Sequence, residues 1–182
     1  MLRDHLPSIR FAAIFSQDSS SIDWACRKAE EQWGEIFLQS ADIEFSVTPY
    51  YDESMGKGLV KRLVAFRDLV DPTELVRSKL QGIEWENTFR KENPSAVARP
   101  LNVDPGYLTE AKVVLMTTKD RDHRLYVGQG IYAEITLRYQ LPGKWESMRW
   151  TYPDYKLDEY HQFFFACRDQ LRKDLQQLAR SS

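Results

Sequence analysis

The chain has 182 residues, of which 42% are hydrophobic and 29% are charged, and its formal net charge is −2 at pH 7. This composition is typical of a globular protein that is long enough to bury a core. The small negative charge excludes the overall basic surface with which many proteins hold nucleic acid or an anionic membrane. We expect one domain over residues 1–182, with residues 1–8 as a tail.

The N-terminus and the cysteines predict where the protein resides. Pro7 and Arg10 interrupt the first apolar run, which is therefore too short for a secretory signal. No apolar run approaches the roughly 20 residues that span a membrane. Cys26 and Cys167 lie far apart in apolar helical patterns, which indicates core residues rather than a disulfide framework or a zinc site. We expect a cytoplasmic protein without a membrane partner.

The first half of the chain alternates predicted strands with one helix. Residues 9–16 are compact and apolar, which is typical of a central strand buried on both faces. The serines at 19–21 offer an N-cap for a predicted helix that Gly34 ends. Alternating apolar residues predict a strand over residues 43–48, and a loop over 49–58 leads to a third strand over 59–70.

The next segment contains a helix and a predicted turn. Asp71 followed by Pro72 predicts a capped helix that runs to about residue 90, and residues 93–100 are linker-like. Residues 104–107, DPGY, have proline and glycine at the central places of a type II turn. The segment 109–119 stays open, because its start suits a helix and its VVLMTT suits a strand.

The last third predicts a hairpin and a closing helix. Residues 123–127 and 131–139 flank Gly-Gln-Gly, and a three-residue loop would pair Tyr126 with Tyr132 and Arg124 with Glu134. An amphipathic helix is predicted over 157–179. The order of elements predicts an α+β fold: a mostly antiparallel sheet with helices packed on one face, in a ferredoxin-like style, and a C-terminal amphipathic helix.

The polar face of this hairpin has two interpretations. It is either a solvated face with a cross-strand ion pair between Arg124 and Glu134, or the floor of a cleft that contacts a polar ligand. Two large tyrosines beside the charges favour the cleft. Likewise, Arg99, Asn102 and Asp104 either cap the local backbone or bind a ligand.

Other polar side chains also have both a structural and a functional interpretation. Lys79 lies on the apolar side of its helix and either reaches the helix edge or projects into the cleft. His123 is either an edge residue or a general acid or base. Residues 150–156, WTYPDYK, either pack beneath the last helix or form a stacking platform. Asp104 and Glu134 could hold a hydrated Mg²⁺, since hard cations take carboxylate oxygens.

Strong catalytic and nucleotide-binding motifs are absent from the sequence. There is no GxxxxGK[ST], GxGxxG, GxSxG or HExxH, which disfavours the classes that those motifs mark. The three histidines provide no metal-ligand pair.

Four segments, YYDESMGKGL, LNVDPGYLT, TTKDRDHRLYVGQGIYAEITL and WTYPDYK, resemble an uncharacterised bacterial family, a domain of unknown function of about this length. Its members sometimes carry the label "GTP-binding protein", which no guanine or phosphate motif in this chain supports. The resemblance covers roughly residues 9–155 and implies that the polar segments form one recurring site. Val103 and Gln129 stand where leucine and lysine are expected, and the second departure puts a loop cation in doubt. The positions carried over are Tyr51, Glu53, Met55, Gly56, Asn102, Asp104, Pro105, Gly106, Tyr107, Lys119, His123, Arg124, Tyr126, Gly130, Tyr132, Glu134, Trp150, Tyr152, Pro153 and Asp154.

We therefore expect a protein that binds a polar, phosphorylated or nucleotide-like small molecule in a cleft, and whether it is an enzyme stays open. The alternative is a non-catalytic module that docks a protein or a single nucleic-acid strand on its tyrosines. A concave pocket would favour the small-molecule hypothesis over this alternative. The candidate catalytic residues are Glu134, Asp104 and His123. The candidate ligand-binding residues are Tyr51, Glu53, Lys79, Asn102, Tyr107, Lys119, Arg124, Tyr126, Tyr132, Trp150, Tyr152 and Asp154.

Overall fold

The computed structural model describes residues 5–45 and 51–181, and one antiparallel sheet runs through it. The strand order is β2–β4–β1–β5–β6–β8–β7, with β3 also paired to β4 and β9 to β8. The predicted strand over 43–48 is described only to residue 45, since residues 46–50 lie outside the described part. The strands are β1 Ser8–Ser16, β2 Ile36–Gln39, β3 Ile43–Glu44, β4 Val60–Val70, β5 Leu101–Leu108, β6 Lys112–Thr117, β7 Leu125–Gly128, β8 Ile131–Gln140 and β9 Lys144–Ser147.

Within residues 5–45 and 51–181, four α-helices accompany the sheet: α1 Ser19–Trp33, α2 Asp52–Met55, α3 Leu75–Glu92 and α4 Asp158–Ser181. Asp18, rather than one of the serines that follow it, caps α1 by accepting the N–H of Ser21 at 2.9 Å. Asp71 accepts the N–H of Thr73 at 2.8 Å at the start of the 3-10 turn Pro72–Glu74, which leads into α3. In the described ranges, no helix combines the length and the apolar character that crossing a bilayer requires.

The helices cover both faces of the sheet. Ile14 of β1 packs with α1 and α3 on one face, whereas Phe11 of β1 meets Phe164 of α4 on the other face, with ring centroids 5.0 Å apart. The α+β class, the antiparallel sheet, the closing helix and the central place of β1 are confirmed. The sequence predicted one covered face, and the structure has two because β1 is apolar on both sides. Cys26 and Cys167 are buried on opposite faces, so the sheet separates them.

The predicted turn at residues 104–107 was wrong, because these residues lie inside β5. β5 pairs with β1 along its whole length, from Leu108 opposite Ile9 to Leu101 opposite Ser16. Gly106 serves close packing rather than a turn. A Cβ there would lie 2.3 Å from the carbonyl oxygen of Val114 and 2.6 Å from the ring of Phe11.

The sheet divides beside this glycine. β6 pairs with β5 only where Gly106–Leu108 faces Val113–Leu115, and then continues along β8 as far as the pair Thr117 and Tyr132. Pro105 has no backbone N–H that could donate a hydrogen bond to a neighbouring strand. The first half of β5 and the last residues of β6 therefore diverge and leave a gap. The segment whose structure the sequence left open supplies β6.

The hairpin β7–β8 has the predicted register but a different loop. Tyr126 faces Tyr132 as predicted, yet Gly128 pairs with Ile131, so the loop is the two residues Gln129 and Gly130. Both have positive φ, 54° and 76°, which matches a type I′ turn. A bulge between Tyr126 and Gly128 absorbs the extra residue and preserves the register beyond it.

Candidate functional site

A pocket of about 270 Å³ lies where β5 and β6 diverge. Its lining is rich in charge, with five cationic side chains and three carboxylates. Tyr51, Tyr152, Tyr155 and Phe45 provide aromatic walls. The cations are Lys61, Lys79, Arg99, Lys119 and Arg124, and the carboxylates are Glu86, Asp104 and Glu134.

Lys79 reaches the first wall of the pocket from α3. Its ammonium donates to the carbonyl oxygen of Val103 at 2.8 Å and to Oδ1 of Asp104 at 2.7 Å. Burial disfavours the charged form of Asp104, but the Lys79 ammonium outweighs this effect and lowers the pKa of that carboxyl. Asp104 is therefore a firmly ionised group.

Glu86 completes this wall, and the sequence interpretation missed it. Its Oε1 accepts the backbone N–H of Val103 at 2.8 Å, and its Oε2 lies 3.6 Å from Arg99. Burial raises the pKa of Glu86, although nearby Lys79 opposes the rise. The spacing of Lys79, Ile83 and Glu86 places all three on one face of α3, which is the signal that could have found it.

We expect the stability of Glu86→Gln relative to the unchanged protein to increase as pH rises from 4 towards 7. A carboxyl whose pKa is raised by folding stabilises the native state at low pH, and this contribution is lost as pH rises through the folded pKa. The side-chain oxygen of glutamine can still accept the backbone N–H of Val103. Because glutamine does not titrate, its contribution to stability does not fall as pH rises. Chemical denaturation of both proteins across this range measures the difference. A difference independent of pH would contradict the raised pKa.

Glu134 forms the opposite wall with Arg124. Nε of Arg124 donates to Oε2 of Glu134 at 2.6 Å, and the two side chains are only 4% and 1% exposed. Arg124 also donates to the carbonyl oxygen of Lys119 at 3.0 Å and to the hydroxyl of Tyr152 at 3.1 Å. The polar face of the hairpin is thus buried at Glu134, whereas Leu125 on its apolar face is 75% exposed. A solvated ion pair is excluded by this burial.

His123 touches Glu134 from outside the pocket. Its Nε2 lies 3.3 Å from Oε2 of Glu134, and its Nδ1 lies 3.0 Å from Asp122. The imidazole stacks on Trp150 with centroids 5.1 Å apart, and the Trp150 indole N–H donates to the carbonyl oxygen of Ile135. His123 and Trp150 line a separate shallow depression. His123 therefore supports Glu134 rather than facing the pocket.

Lys61 is a second charged residue that the sequence interpretation missed. Its ammonium donates to Oδ2 of Asp154 at 2.7 Å and lies 3.7 Å from the ring centroid of Phe45. Both partners are buried, with side chains 6% and 2% exposed. Asp154 belongs to WTYPDYK, so this segment packs on the core and anchors a pocket lysine. A lysine within an apolar strand was the available signal.

The structure brings eight of the proposed site residues together and leaves seven outside the pocket lining. Tyr107 points to the other face of β5, where it packs near Val70 and Leu75, and Glu53 is exposed on α2. Tyr126 and Tyr132 form a ring pair, with centroids 5.3 Å apart, farther along the hairpin. Those that line the pocket are Tyr51, Lys79, Asn102, Asp104, Lys119, Arg124, Glu134 and Tyr152; those outside are Glu53, Tyr107, His123, Tyr126, Tyr132, Trp150 and Asp154.

The two carboxylates considered for Mg²⁺ lie in the same pocket, each beside a cation. Asp104 is held by Lys79 and Glu134 by Arg124. Over residues 5–45 and 51–181, no three His, Cys, Asp or Glu side chains form a group that could hold a metal ion.

Comparison with known protein families gives a match over residues 7–171 to a family described as "Domain of unknown function (DUF4416)". The chain belongs to the DUF4416 family. The match extends from β1 into α4 and includes both walls of the pocket. It confirms the resemblance to a family of unknown function. Comparisons with curated proteins and with solved structures found no match.

Proposed function

We propose that this DUF4416 protein binds a small anionic molecule, such as a phosphorylated or nucleotide-like metabolite, between β5 and β6. The observation that carries the proposal is the excess of cations among the described lining residues, on a chain whose net charge is −2. Five cations face three carboxylates, and four still face three when Lys61 is set against its buried partner Asp154. A cleft with low-dielectric walls concentrates the field of such charges on whatever enters it.

The chemistry of the lining favours a phosphate-like group. Arginine and lysine bind phosphate oxygens through charge-assisted hydrogen bonds, and arginine does so with a planar fork of donors. Arg99 is partly exposed, with 38% of its side chain accessible, whereas the side chains of Lys61, Lys79 and Arg124 are at most 6% exposed. Thr117 and Thr118 add hydroxyl donors at the end of β6, and Tyr51 and Tyr152 give a ring two aromatic walls. The volume suits a compact ligand rather than a polymer.

If the site is catalytic, Glu134 is the residue that would transfer a proton. It lines the pocket, and Arg124 and His123 fix its orientation through Oε2. Asp104 is less suited to that role, because a carboxyl with a lowered pKa is a weak base that stays ionised.

A thermal-shift assay with inorganic phosphate and phosphorylated metabolites tests the proposal. A ligand at 100 times its dissociation constant should stabilise the protein by about 2.7 kcal/mol. For a chain of this length, that corresponds to a rise of roughly 5–10 °C in Tm. Arg99→Gln should lose most of this rise, since it removes a partly exposed guanidinium that an entering anion can reach.

The matched control is Arg138→Gln. Arg138 lies on β8, pairs with Glu146 at the surface and does not line the pocket. The control should keep the full shift. If no anion stabilises the unchanged protein, or if both variants lose the shift equally, the pocket is not the binding site.

A further inference from the structure

The two carboxylate oxygens of Glu134 have different surroundings. Oε2 accepts a hydrogen bond from Arg124 and lies beside His123, at 2.6 and 3.3 Å. Oε1 is also buried, yet it has no hydrogen-bond partner among the described residues. Buried polar atoms in native proteins are nearly always paired, so an unpaired acceptor on a residue that lines the pocket points to a group that arrives from outside.

The neighbours of Glu134 keep this oxygen in place. Arg124 is itself fixed by the carbonyl oxygen of Lys119 and by the hydroxyl of Tyr152, and His123 is stacked on Trp150. Glu134 therefore cannot turn Oε1 elsewhere without breaking its bonds through Oε2. An acceptor held in this way is pre-organised for a donor of defined position.

The opposite wall carries different chemistry. There, Lys79 and Arg99 come from α3 and the segment before β5, across the gap in the sheet from Glu134 on β8. A molecule that spans the gap meets Lys79 and Arg99, with their partners Asp104 and Glu86, at one end and Glu134 at the other.

We propose that the ligand is bifunctional, with an anionic, phosphate-like group for the Lys79 and Arg99 wall and an N–H or O–H donor for Oε1 of Glu134. This inference rests on the proposed function and narrows its ligand class to phosphorylated amines and alcohols. A simple phosphate ester leaves Oε1 buried and unpaired, and sites built around such a bond discriminate strongly against analogues that lack the donor.

Isothermal titration calorimetry with four probes tests this assignment. They are inorganic phosphate, propyl phosphate, 3-hydroxypropyl phosphate and 3-aminopropyl phosphate, of which the last two carry a donor. The unchanged protein should bind the donor-bearing esters about tenfold or more tightly than propyl phosphate. This ratio needs no variant, so it holds even if substitutions at Glu134 impair folding.

Glu134→Gln should abolish the preference for 3-aminopropyl phosphate, whose ammonium can only donate, whereas the hydroxyl of the other ester can also accept. Nε of Arg124 requires an acceptor, so the glutamine oxygen stays with Arg124 and its NH₂ group replaces Oε1, which turns the acceptor into a donor. Inorganic phosphate should bind this variant no more weakly than it binds the unchanged protein, because the substitution removes a negative charge from the pocket and phosphate needs no acceptor. The control Glu146→Gln, which removes a surface carboxylate on β9, should keep the preference.

The outcomes separate the two proposals. If neither inorganic phosphate nor any ester binds, the proposed anionic ligand is wrong. If inorganic phosphate binds and the three esters bind equally well, the pocket holds anions but the donor assignment to Glu134 is overturned. A preference for 3-aminopropyl phosphate that survives Glu134→Gln also overturns the assignment.

Discussion

Lys61→Met is expected to destabilise the protein by about 3–5 kcal/mol, the usual cost of removing one partner of a buried ion pair. The methionine would leave the carboxylate of Asp154 buried without its counterion, since both side chains are at least nine-tenths buried. The aromatic rings around Nζ offer no compensating charge. In a chain of this length, Tm should fall by roughly 6–20 °C, measured by calorimetry or circular dichroism.

Two further variants identify the cause of this loss. Lys28→Met removes a lysine from an exposed pair with Glu31 on α1 and should cost less than about 1 kcal/mol. The double variant Lys61→Met with Asp154→Leu removes both buried charges and should recover most of the stability, because buried pairs can be replaced by apolar residues at little cost. Equal losses for Lys61→Met and Lys28→Met would show that the buried pair contributes nothing special.

Gly106→Ala is expected to cost about 3 kcal/mol or more, at the upper end of overpacking. Its methyl group would lie 2.3 Å from the carbonyl oxygen of Val114, which is backbone and cannot rotate away, and 2.6 Å from Phe11 in the core. Either β6 or the central strand must move. Chemical denaturation measures the loss, and a shift of β6 should also widen the gap that forms the pocket.

Gly82→Ala gives the comparison for this variant. Gly82 lies in α3, and its added Cβ would come 3.2 Å from the carbonyl oxygen of Val103, a tight but tolerable approach. Alanine gains about 1 kcal/mol in helix propensity over glycine, which offsets the tight contact. The net effect should be small. If Gly106→Ala loses no more stability than Gly82→Ala, then β5 and β6 do not pack as described.

Features that depend on neighbouring residues could be predicted from the sequence. The apolar run of β1 predicted a central strand, and Asp71 with Pro72 predicted the start of a helical segment. The pairing of Tyr126 with Tyr132 followed from the hairpin pattern, and the bulge at Val127 compensated for the wrong loop length. In each case, the determining interactions lie within a few residues.

Features that depend on distant contacts could not be predicted. Pro105 and Gly106 suit a turn locally, and only the contacts of Gly106 with Phe11 and Val114 explain their place in a strand. The pocket itself exists because β6 leaves β5 after three residue pairs, which no local pattern encodes. Lys61 was overlooked because its partner, Asp154, lies 93 residues away along the chain.

The binding of an anion between β5 and β6 is tested most directly by NMR, with inorganic phosphate titrated into the ¹⁵N-labelled protein. The backbone amides of residues 99, 101–104 and 116–119, on the two sides of the gap, should shift together along one saturable curve. Amides at the hairpin turn, residues 128–130, should stay unchanged and serve as the internal control. Saturable shifts at that turn or elsewhere, with residues 99, 101–104 and 116–119 unaffected, would contradict an anion site in this pocket.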